Sequence, residues 1–214
     1  HEEKKLEIME YSKKYLEFFV DGLKNPTHEI SGKETAPSEF LSEIVQITKV
    51  VQSKRGRIFF FGNGASASFA NHMALDWSKN GGVLALSLSD SALLTALAND
   101  YSYEDAFKEF AKINSLGKDD LVATISSSGN SPNVISALDY ANEVGATTFA
   151  LSGLKPGNKS RNIAKFSVYY PFKTYGMVEC AHQVYLHLWL DAFMNIFEWD
   201  RKETQNMNYR DFNL

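Results

Sequence analysis

A six-residue stretch of the sequence concentrates hydroxyl groups at a point where an anion could bind. Ser126-Ser127-Ser128-Gly129-Asn130-Ser131 follows an apolar run that ends at Ile125, and Pro132 then opens a helical pattern. Hydroxyls, backbone amides and the positive end of a helix dipole can hold a phosphate dianion without any lysine. The structural alternative is a serine-rich turn in which Ser131 is an ordinary helix N-cap. We predict that the loop binds phosphate through its four serines, Ser126, Ser127, Ser128 and Ser131.

A glycine-rich loop after another apolar run is the second candidate, and it reads Gly62-Asn63-Gly64-Ala65-Ser66. Glycines let a backbone approach a ligand closely, and the Asn63 side chain carries both a donor and an acceptor for a sugar hydroxyl. Asn-Gly is also common in plain turns, so this loop alone is a weak signal. It is not a dinucleotide fingerprint, because Ala67 stands where that pattern needs its third glycine.

Two pairs of residues have spacings that suit metal binding on helices. His72 and Asp76 are four residues apart, so both side chains project from one helix face. Glu179 and His187 are eight residues apart on a later helical pattern and also share a face. Two imidazoles and two carboxylates can complete a tetrahedral zinc site, although other divalent metals also accept oxygen-rich ligand sets. A solvated helix face is the commoner explanation of a lone His-x-x-x-Asp pair.

The elements that position these residues follow from the apolar pattern. Short runs that are apolar on both faces alternate with amphipathic helical segments, which is typical of a parallel sheet covered by helices on both sides. Ligands of such sheets bind where loops leave the carboxyl ends of the strands. The sequence therefore predicts an α/β three-layer sandwich with a five-stranded parallel sheet, whose strands are expected near residues 58–61, 83–86, 121–125, 147–151 and 166–170.

The two ends of the chain extend this domain. Apolar residues spaced three or four apart predict an N-terminal helix over residues 3–23, followed by a polar linker to Pro37. A second helix is expected from a Ser38 N-cap to about Gln52, and the last long helix over residues 175–197. We therefore divide the chain into an N-terminal helix and linker (1–37), a core domain (38–197) and a C-terminal tail (198–214).

Composition excludes several classes of function. The net charge of -4 lacks the basic excess of a general nucleic-acid binder, and no apolar stretch reaches the length of a membrane span. A single cysteine, Cys180, excludes an intrachain disulfide, and no signal peptide is visible at the start of the sequence. We predict a cytoplasmic protein without nucleic-acid or membrane partners.

Taken together and in this order, the motifs resemble the sugar isomerase (SIS) domain family and, within it, the bacterial phosphoheptose isomerases. The resemblance covers roughly residues 38–197. The residues that carry it are Gly62-Asn63-Gly64, His72, Ser91-Ala92-Leu93, Ala98-Asn99-Asp100-Tyr101, Ser126 to Pro132-Asn133-Val134, His182 and His187.

The resemblance implies a phosphorylated sugar as ligand and a role for each matching residue. Positions matching His72, Asp76, Glu179 and His187 hold a divalent metal in this family, usually zinc. Asp76 and His187 are the implied proton-transfer residues, and the four serines are implied to hold the phosphate. The implied sugar contacts are Asn63, Gly64, Ala65, Asn99, Asp100 and Glu179. His182 matches a family histidine that we interpret as structural.

The same resemblance implies a reaction and an assembly. The reaction is isomerisation of sedoheptulose 7-phosphate to an aldoheptose 7-phosphate for surface polysaccharide, in a homotetramer whose sites lie at subunit contacts. Asp76 and Glu179 stand where the family usually has Glu and Gln, and Gly176-Met177 replaces its Asp-Arg. These departures surround the sugar and leave two alternatives open, an isomerase of another sugar phosphate and a non-catalytic phosphosugar-binding or protein-binding module.

Overall fold

The computed structural model describes residues 2–200, with side chains from Glu7 onward, so residues 201–214 of the predicted tail lie outside the described residues. The helices are α1 (Glu2–Lys24), α2 (Pro37–Ser53), α3 (Ala65–Asp76), α4 (Ser91–Asp100), α5 (Ala106–Ile113), α6 (Pro132–Glu143), α7 (Lys159–Ile163) and α8 (Tyr175–Phe193). The strands are β1 (Thr27–Ile30), β2 (Lys33–Glu34), β3 (Ile58–Gly62), β4 (Ala85–Ser87), β5 (Leu121–Ile125), β6 (Thr147–Ser152) and β7 (Phe166–Tyr169).

The predicted parallel sheet is confirmed, but its size is corrected from five strands to seven. The order is β2-β1-β7-β6-β5-β3-β4, in which the five predicted strands are all parallel. The two additional strands lie within the stretch predicted as a linker. There β1 pairs antiparallel with β7, and β2 pairs antiparallel with β1. This hairpin extends the edge of the sheet, a pairing that the polar sequence of residues 25–37 does not indicate.

Strand β3 shows why these residues form a buried central strand. Because successive side chains point to opposite faces of a sheet, its phenylalanines enter two separate cores. Phe61 stacks on Phe107 of α5 on one face, with the ring centroids 4.9 Å apart. Phe60 meets Trp189 of α8 on the other face, at 6.1 Å. Helices α4, α5 and α6 contribute to the first core and α2, α3 and α8 to the second, which confirms the three-layer sandwich.

Trp189 is the residue through which α8 packs on the sheet and on the turn that follows α3. Its fully buried ring lies 4.6 Å from that of Trp77 and 5.2 Å from that of Phe149. Its indole Nε1 donates a hydrogen bond of 3.2 Å to the Thr48 hydroxyl of α2. Trp77 opens a π-helical turn (Trp77–Gly81) that follows α3 directly. This packing fixes α8 beside the end of α3.

Two helix boundaries and one additional helix differ from the sequence prediction. Helix α2 begins at Pro37 with Ala36 as its N-cap, instead of at Ser38. Proline suits the first helical position because that position needs no amide hydrogen. The last helix ends at Phe193 instead of near residue 197, and the short helix α7 was not predicted.

A charged pair connects the edge hairpin to α7. The Arg161 guanidinium donates from Nε to Glu29 Oε2 at 2.6 Å and from Nη2 to Oε1 at 2.9 Å. The bond from Arg161 lowers the pKa of the Glu29 carboxyl below its usual value, so this group is charged at neutral pH. Strand β1 therefore holds α7 in place, and α7 in turn contacts the serine loop, as described below.

Helix α1 is only partly covered by the rest of the chain. Tyr15, Phe19 and Leu23 pack against the core, whereas Met9 and Phe18 are exposed. Within residues 2–200, no helix is both long and apolar enough to span a lipid bilayer.

Candidate functional site

The serine loop connects β5 to α6 at the carboxyl edge of the sheet, as predicted. Its first residue is fastened to the sheet, because the Ser126 amide donates to the Leu151 carbonyl of β6 at 3.1 Å. Across residues 2–200, by contrast, no acceptor pairs with the backbone amides of Ser127, Ser128 and Ser131. Unpaired amides at a helix N-terminus are the groups that bind phosphate oxygens. The loop therefore has the donors that an anion requires.

The serine hydroxyls are arranged to donate as well. Ser126 Oγ accepts the Gly129 amide at 3.1 Å, and Ser128 Oγ accepts the Asn130 amide at 3.2 Å. A hydroxyl that accepts from a backbone amide keeps its own hydrogen for another acceptor. Ser131 Oγ lies 3.4 Å from Ser126 Oγ, so the two hydroxyls meet on one side of the loop. Ser131 is the N-cap residue of α6, but its side chain does not cap the helix.

The buried Asn158 supports the serine loop from the connection between β6 and α7. The Asn158 carboxamide donates to Ser152 Oγ and accepts from Ser160 Oγ, both at 3.0 Å. The amide of Ser160 then donates to the Gly129 carbonyl at 2.9 Å. Gly129 has a φ of 62°, a left-handed conformation that favours glycine, and a β-carbon there would overlap the Asn158 side chain. The shape of the loop thus depends on contacts with the β6–α7 connection.

A cavity of about 130 Å³ lies at the loop and includes most of the predicted binding residues. Glu179 and Tyr175 reach it from the first turns of α8, and Asn63 and Ser66 reach it from the β3–α3 junction. Ser66 and Tyr175 were not predicted, although Ser66 lies within the predicted glycine-rich loop. The predicted residues that line the cavity are Asn63, Ser126, Ser127, Ser128, Ser131 and Glu179.

Four predicted sugar contacts lie outside this lining. Gly64 and Ala65 are exposed at the start of α3, where Gly64 has the positive φ of 58° that the tight turn requires. Asn99 and Asp100 are exposed at the end of α4 and bond to each other, from Nδ2 to Oδ1 at 3.0 Å. Their proposed roles toward a sugar stay predictions.

Asn63 has two partners that the sequence analysis missed. Its carboxamide pairs reciprocally with that of the buried Asn133, and both hydrogen bonds measure 2.9 Å. The Tyr103 hydroxyl also donates to Asn63 Oδ1, at 2.8 Å. Asn133 belongs to the Ser-Pro-Asn-Val string noted above, whereas nothing in the sequence marks Tyr103. Both bonds to Oδ1 therefore come from the protein, and the predicted contact of Asn63 with a sugar stays a prediction.

Three predicted metal ligands come together where α3 meets α8. His72 Nε2 lies 3.0 Å from Asp76 Oδ2, and the His72 and His187 rings are 5.5 Å apart. The candidate ligand atoms of the three residues all lie within 4.8 Å of one another. Two imidazoles and one carboxylate form a set that a divalent cation binds. We call His72, Asp76 and His187 the triad.

Glu179 is not part of the triad. It lines the cavity beside the serine loop, two helical turns before His187. Eight residues of helix separate the two positions by about 12 Å along the axis. Among the described residues, the lining of that cavity includes no member of the triad. The serine loop therefore lies beside the first turns of α8, and the triad lies farther along the same helix.

His182 lies on α8 between these positions and has a structural environment. It is fully buried, and its Nε2 donates to the Ser152 carbonyl at 3.0 Å. Burial lowers the pKa of His182 to about 4, so the imidazole is neutral at pH 7. Its bond supports the strand that holds Asn158.

Unpaired loop amides at the carboxyl edge of the parallel strands place the chain among α/β proteins whose architecture suits phosphate groups. More particularly, the chain belongs to the SIS domain family, whose model matches residues 27–153. A phosphoheptose isomerase from Helicobacter pylori (strain P12) is 33% identical over 166 residues, which are 74% of this chain and 85% of that relative. The resemblance seen in the sequence is confirmed.

Solved structures agree with this assignment. Phosphoheptose isomerase from Neisseria gonorrhoeae matches with a TM-score of 0.64 at 27% identity, over 72% of this chain and 86% of its own. The enzyme from Francisella tularensis has a TM-score of 0.74 at 20% identity, over 87% and 98% of the two chains. The second match supports the fold alone.

The loop geometry generates a prediction about Gly129. Gly129→Ala forces a left-handed conformation on an alanine and pushes against Asn158, so the loop backbone that carries the unpaired amides of Ser127, Ser128 and Ser131 must shift. We expect calorimetric titration with inorganic phosphate to show affinity at least about tenfold weaker, the equivalent of one hydrogen bond to a charged group. Gly157→Ala is the matched control, because a β-carbon there meets nothing within 4 Å. Equal affinities of the two variants would contradict the assignment of the loop.

Proposed function

We propose that the protein is an aldose–ketose isomerase that converts sedoheptulose 7-phosphate to an aldoheptose 7-phosphate for surface polysaccharide synthesis. Relatives named phosphoheptose isomerase at 30–43% identity support the reaction class. The triad is the observation that carries catalysis, since a protein that only senses phosphosugars has no need of it. The cytoplasmic location expected from the single cysteine stays a prediction.

The chemistry assigns a role to each group. A base removes a proton from C1 of the ketose, an enediolate forms across C1 and C2, and a proton returns to C2. The O1 proton moves to O2 in the same sequence, so that O2 becomes a hydroxyl and O1 the aldehyde oxygen. Asp76 and His187 are the proposed proton-transfer residues. The serine loop holds the terminal phosphate, so the reacting carbons are positioned by the opposite end of the substrate.

The triad also fits a divalent cation, for which we propose zinc. Catalytic zinc sites commonly use three protein ligands, and the donors of His72, Asp76 and His187 match that number and chemistry. A bound zinc ion supplies Lewis acidity that stabilises negative charge on sugar oxygens. Glu179, the fourth ligand expected from the family, stands outside the triad in a single chain.

The first experiment tests the reaction. Purified protein is incubated with sedoheptulose 7-phosphate and with other ketose phosphates, and the aldose product is measured. We expect turnover of the heptulose, and Asp76→Asn or His187→Asn should lower kcat about a hundredfold or more, because general acid–base groups contribute that much. Both variants should still bind inorganic phosphate. Tight phosphosugar binding by the wild type without any product would favour a non-catalytic module.

The second experiment tests the metal. Elemental analysis of protein purified without chelator in zinc-containing buffer should find about one zinc per chain. His72→Ala and His187→Ala should each lose it, because two remaining ligands bind zinc weakly. Cys180→Ser is the control. Cys180 on α8 is exposed and is the single cysteine of the sequence, so its thiol is the one cysteine ligand that zinc could use instead. Metal-free wild type, or loss of zinc only in Cys180→Ser, would contradict the proposed site.

We further propose that the site is completed between subunits of a homotetramer. Glu179 at the serine-loop cavity and His187 of the triad are about 12 Å apart along the axis of α8, which favours a separation of the phosphate from the proton-transfer groups within one chain. An apolar groove of about 740 Å³ runs beside His187 and includes the exposed Leu188 and Trp199. The outer face of α1 adds exposed apolar surface. Such surfaces suit subunit contacts, which bring the triad of one chain to the loop of another.

Subunit complementation tests this assembly. A Ser126→Ala/Ser128→Ala variant and a His187→Asn variant, each inactive, are dissociated, mixed in equal amounts and reassembled. If each site takes its loop and its triad from different chains, about a quarter of the sites regain both intact parts. A mixture of Asp76→Asn with His187→Asn is the control, because both changes fall in one triad. A monomer by light scattering, or no recovery in the first mixture, would contradict shared sites.

A further inference from the structure

Tyr103 forms a hydrogen-bonded group with Asn63 and Asn133, next to the serine-loop cavity. Its hydroxyl donates to Asn63 Oδ1 at 2.8 Å, and Asn63 lines the cavity. Tyr103 lies in the connection between α4 and α5, forty residues beyond Asn63, and it is not part of the cavity lining. A tyrosine that bonds to a lining residue from outside can affect a ligand only through that residue.

The direction of every bond in this group is set by a backbone amide. The Val134 N–H can only donate, and it donates to Asn133 Oδ1 at 3.0 Å. Oδ1 of Asn133 must therefore face Val134, which turns its Nδ2 toward Asn63 Oδ1. The same oxygen of Asn63 then receives the Tyr103 hydroxyl, and Asn63 Nδ2 donates back to Asn133. Reversing the Asn63 carboxamide would set two NH2 groups against each other.

The consequence for Asn63 follows from its donor and acceptor inventory. A carboxamide oxygen has two lone-pair directions, and Asn133 and Tyr103 occupy both. The amide nitrogen has two hydrogens, and Asn133 takes one. Asn63 is left with a single N–H, so toward a ligand it acts only as a donor.

We propose that Tyr103 is a positioning residue that holds Asn63 in this donor-only state, with its remaining N–H directed at an oxygen acceptor of the bound phosphosugar. The inference rests on the proposed function, because it deepens the account of that same site. It also defines the ligand chemistry, since the atom opposite Asn63 must be a carbonyl, hydroxyl or phosphate oxygen that accepts a hydrogen bond.

A double-mutant cycle tests the proposal. The variants are Tyr103→Phe, Asn63→Ala and the double variant, with KM and kcat for sedoheptulose 7-phosphate and the dissociation constants of that sugar and of inorganic phosphate. Tyr103→Phe should raise KM about three- to tenfold, the effect of one neutral hydrogen bond, with kcat within about twofold of the wild type. In the Asn63→Ala background the same change should have no further effect.

Tyr101→Phe is the matched control. Tyr101 is 60% exposed, close to the 54% of Tyr103, and its hydroxyl has no hydrogen-bond partner in the described part of the chain. It should leave KM unchanged. A merely structural role for Tyr103 would instead lower the melting temperature and the active fraction, and so kcat, without raising KM.

The outcomes separate this proposal from the isomerase proposal. If Tyr103→Phe changes KM or the dissociation constants equally in the wild-type and Asn63→Ala backgrounds, the positioning role is overturned, whatever the activity of the wild type. Binding of the sugar phosphate without turnover would overturn the isomerase proposal alone, because the dissociation constants still complete the cycle. A wild type that binds neither the sugar phosphate nor inorganic phosphate would overturn both. Loss of inorganic phosphate affinity in Tyr103→Phe would show that the acceptor of Asn63 is a phosphate oxygen and not a sugar oxygen.

Discussion

The burial of Trp189 between the sheet and the π-helical turn that follows α3 is the interaction on which the rest of the site depends. Its ring meets Trp77 at 4.6 Å, and its Nε1 donates to Thr48, so Trp189 anchors α8 to the π-helical turn after α3 and to α2. Two residues earlier on α8, His187 then faces His72 and Asp76 of α3. Burial of aromatic rings stabilises a core strongly, which allows α8 to present polar groups at fixed positions. The first turns of the same helix reach the serine loop, so one packing contact positions both parts of the site.

The serine loop offers a phosphate hydrogen-bond donors instead of a charged side chain. Three unpaired amides and the hydroxyls of Ser126 and Ser128 supply hydrogen bonds, and α6 adds the positive end of its dipole. Such a site depends on backbone direction, so its precision comes from what holds the backbone. Asn158 and α7 serve that purpose, and Arg161 connects α7 to the edge hairpin through Glu29.

The sequence predicted what depends on local pattern and missed what depends on distant contacts. Short runs that are apolar on both faces indicated all five parallel strands. The i, i+4 spacing placed His72 beside Asp76. The edge hairpin escaped prediction because its polar residues pair with β7, far along the chain. The hydrogen bonds of Asn63 to Tyr103 and Asn133 span forty and seventy residues, and the helix or strand periodicity of a sequence does not indicate contacts at such separations. Glu179 was predicted as a fourth metal ligand from the family resemblance and from the helix face it shares with His187, although eight residues of helix separate the two by about 12 Å along the axis.

The central claim is that a phosphosugar binds with its phosphate on the serine loop and its reacting carbons at a triad. The most direct measurement is a crystal structure of the His187→Asn protein with sedoheptulose 7-phosphate. We expect phosphate oxygens within hydrogen-bonding distance of the amides of Ser127, Ser128 and Ser131, and C1 and C2 facing Asp76 of a neighbouring subunit. A phosphate bound away from this loop, or reacting carbons remote from every triad in the assembly, would contradict it.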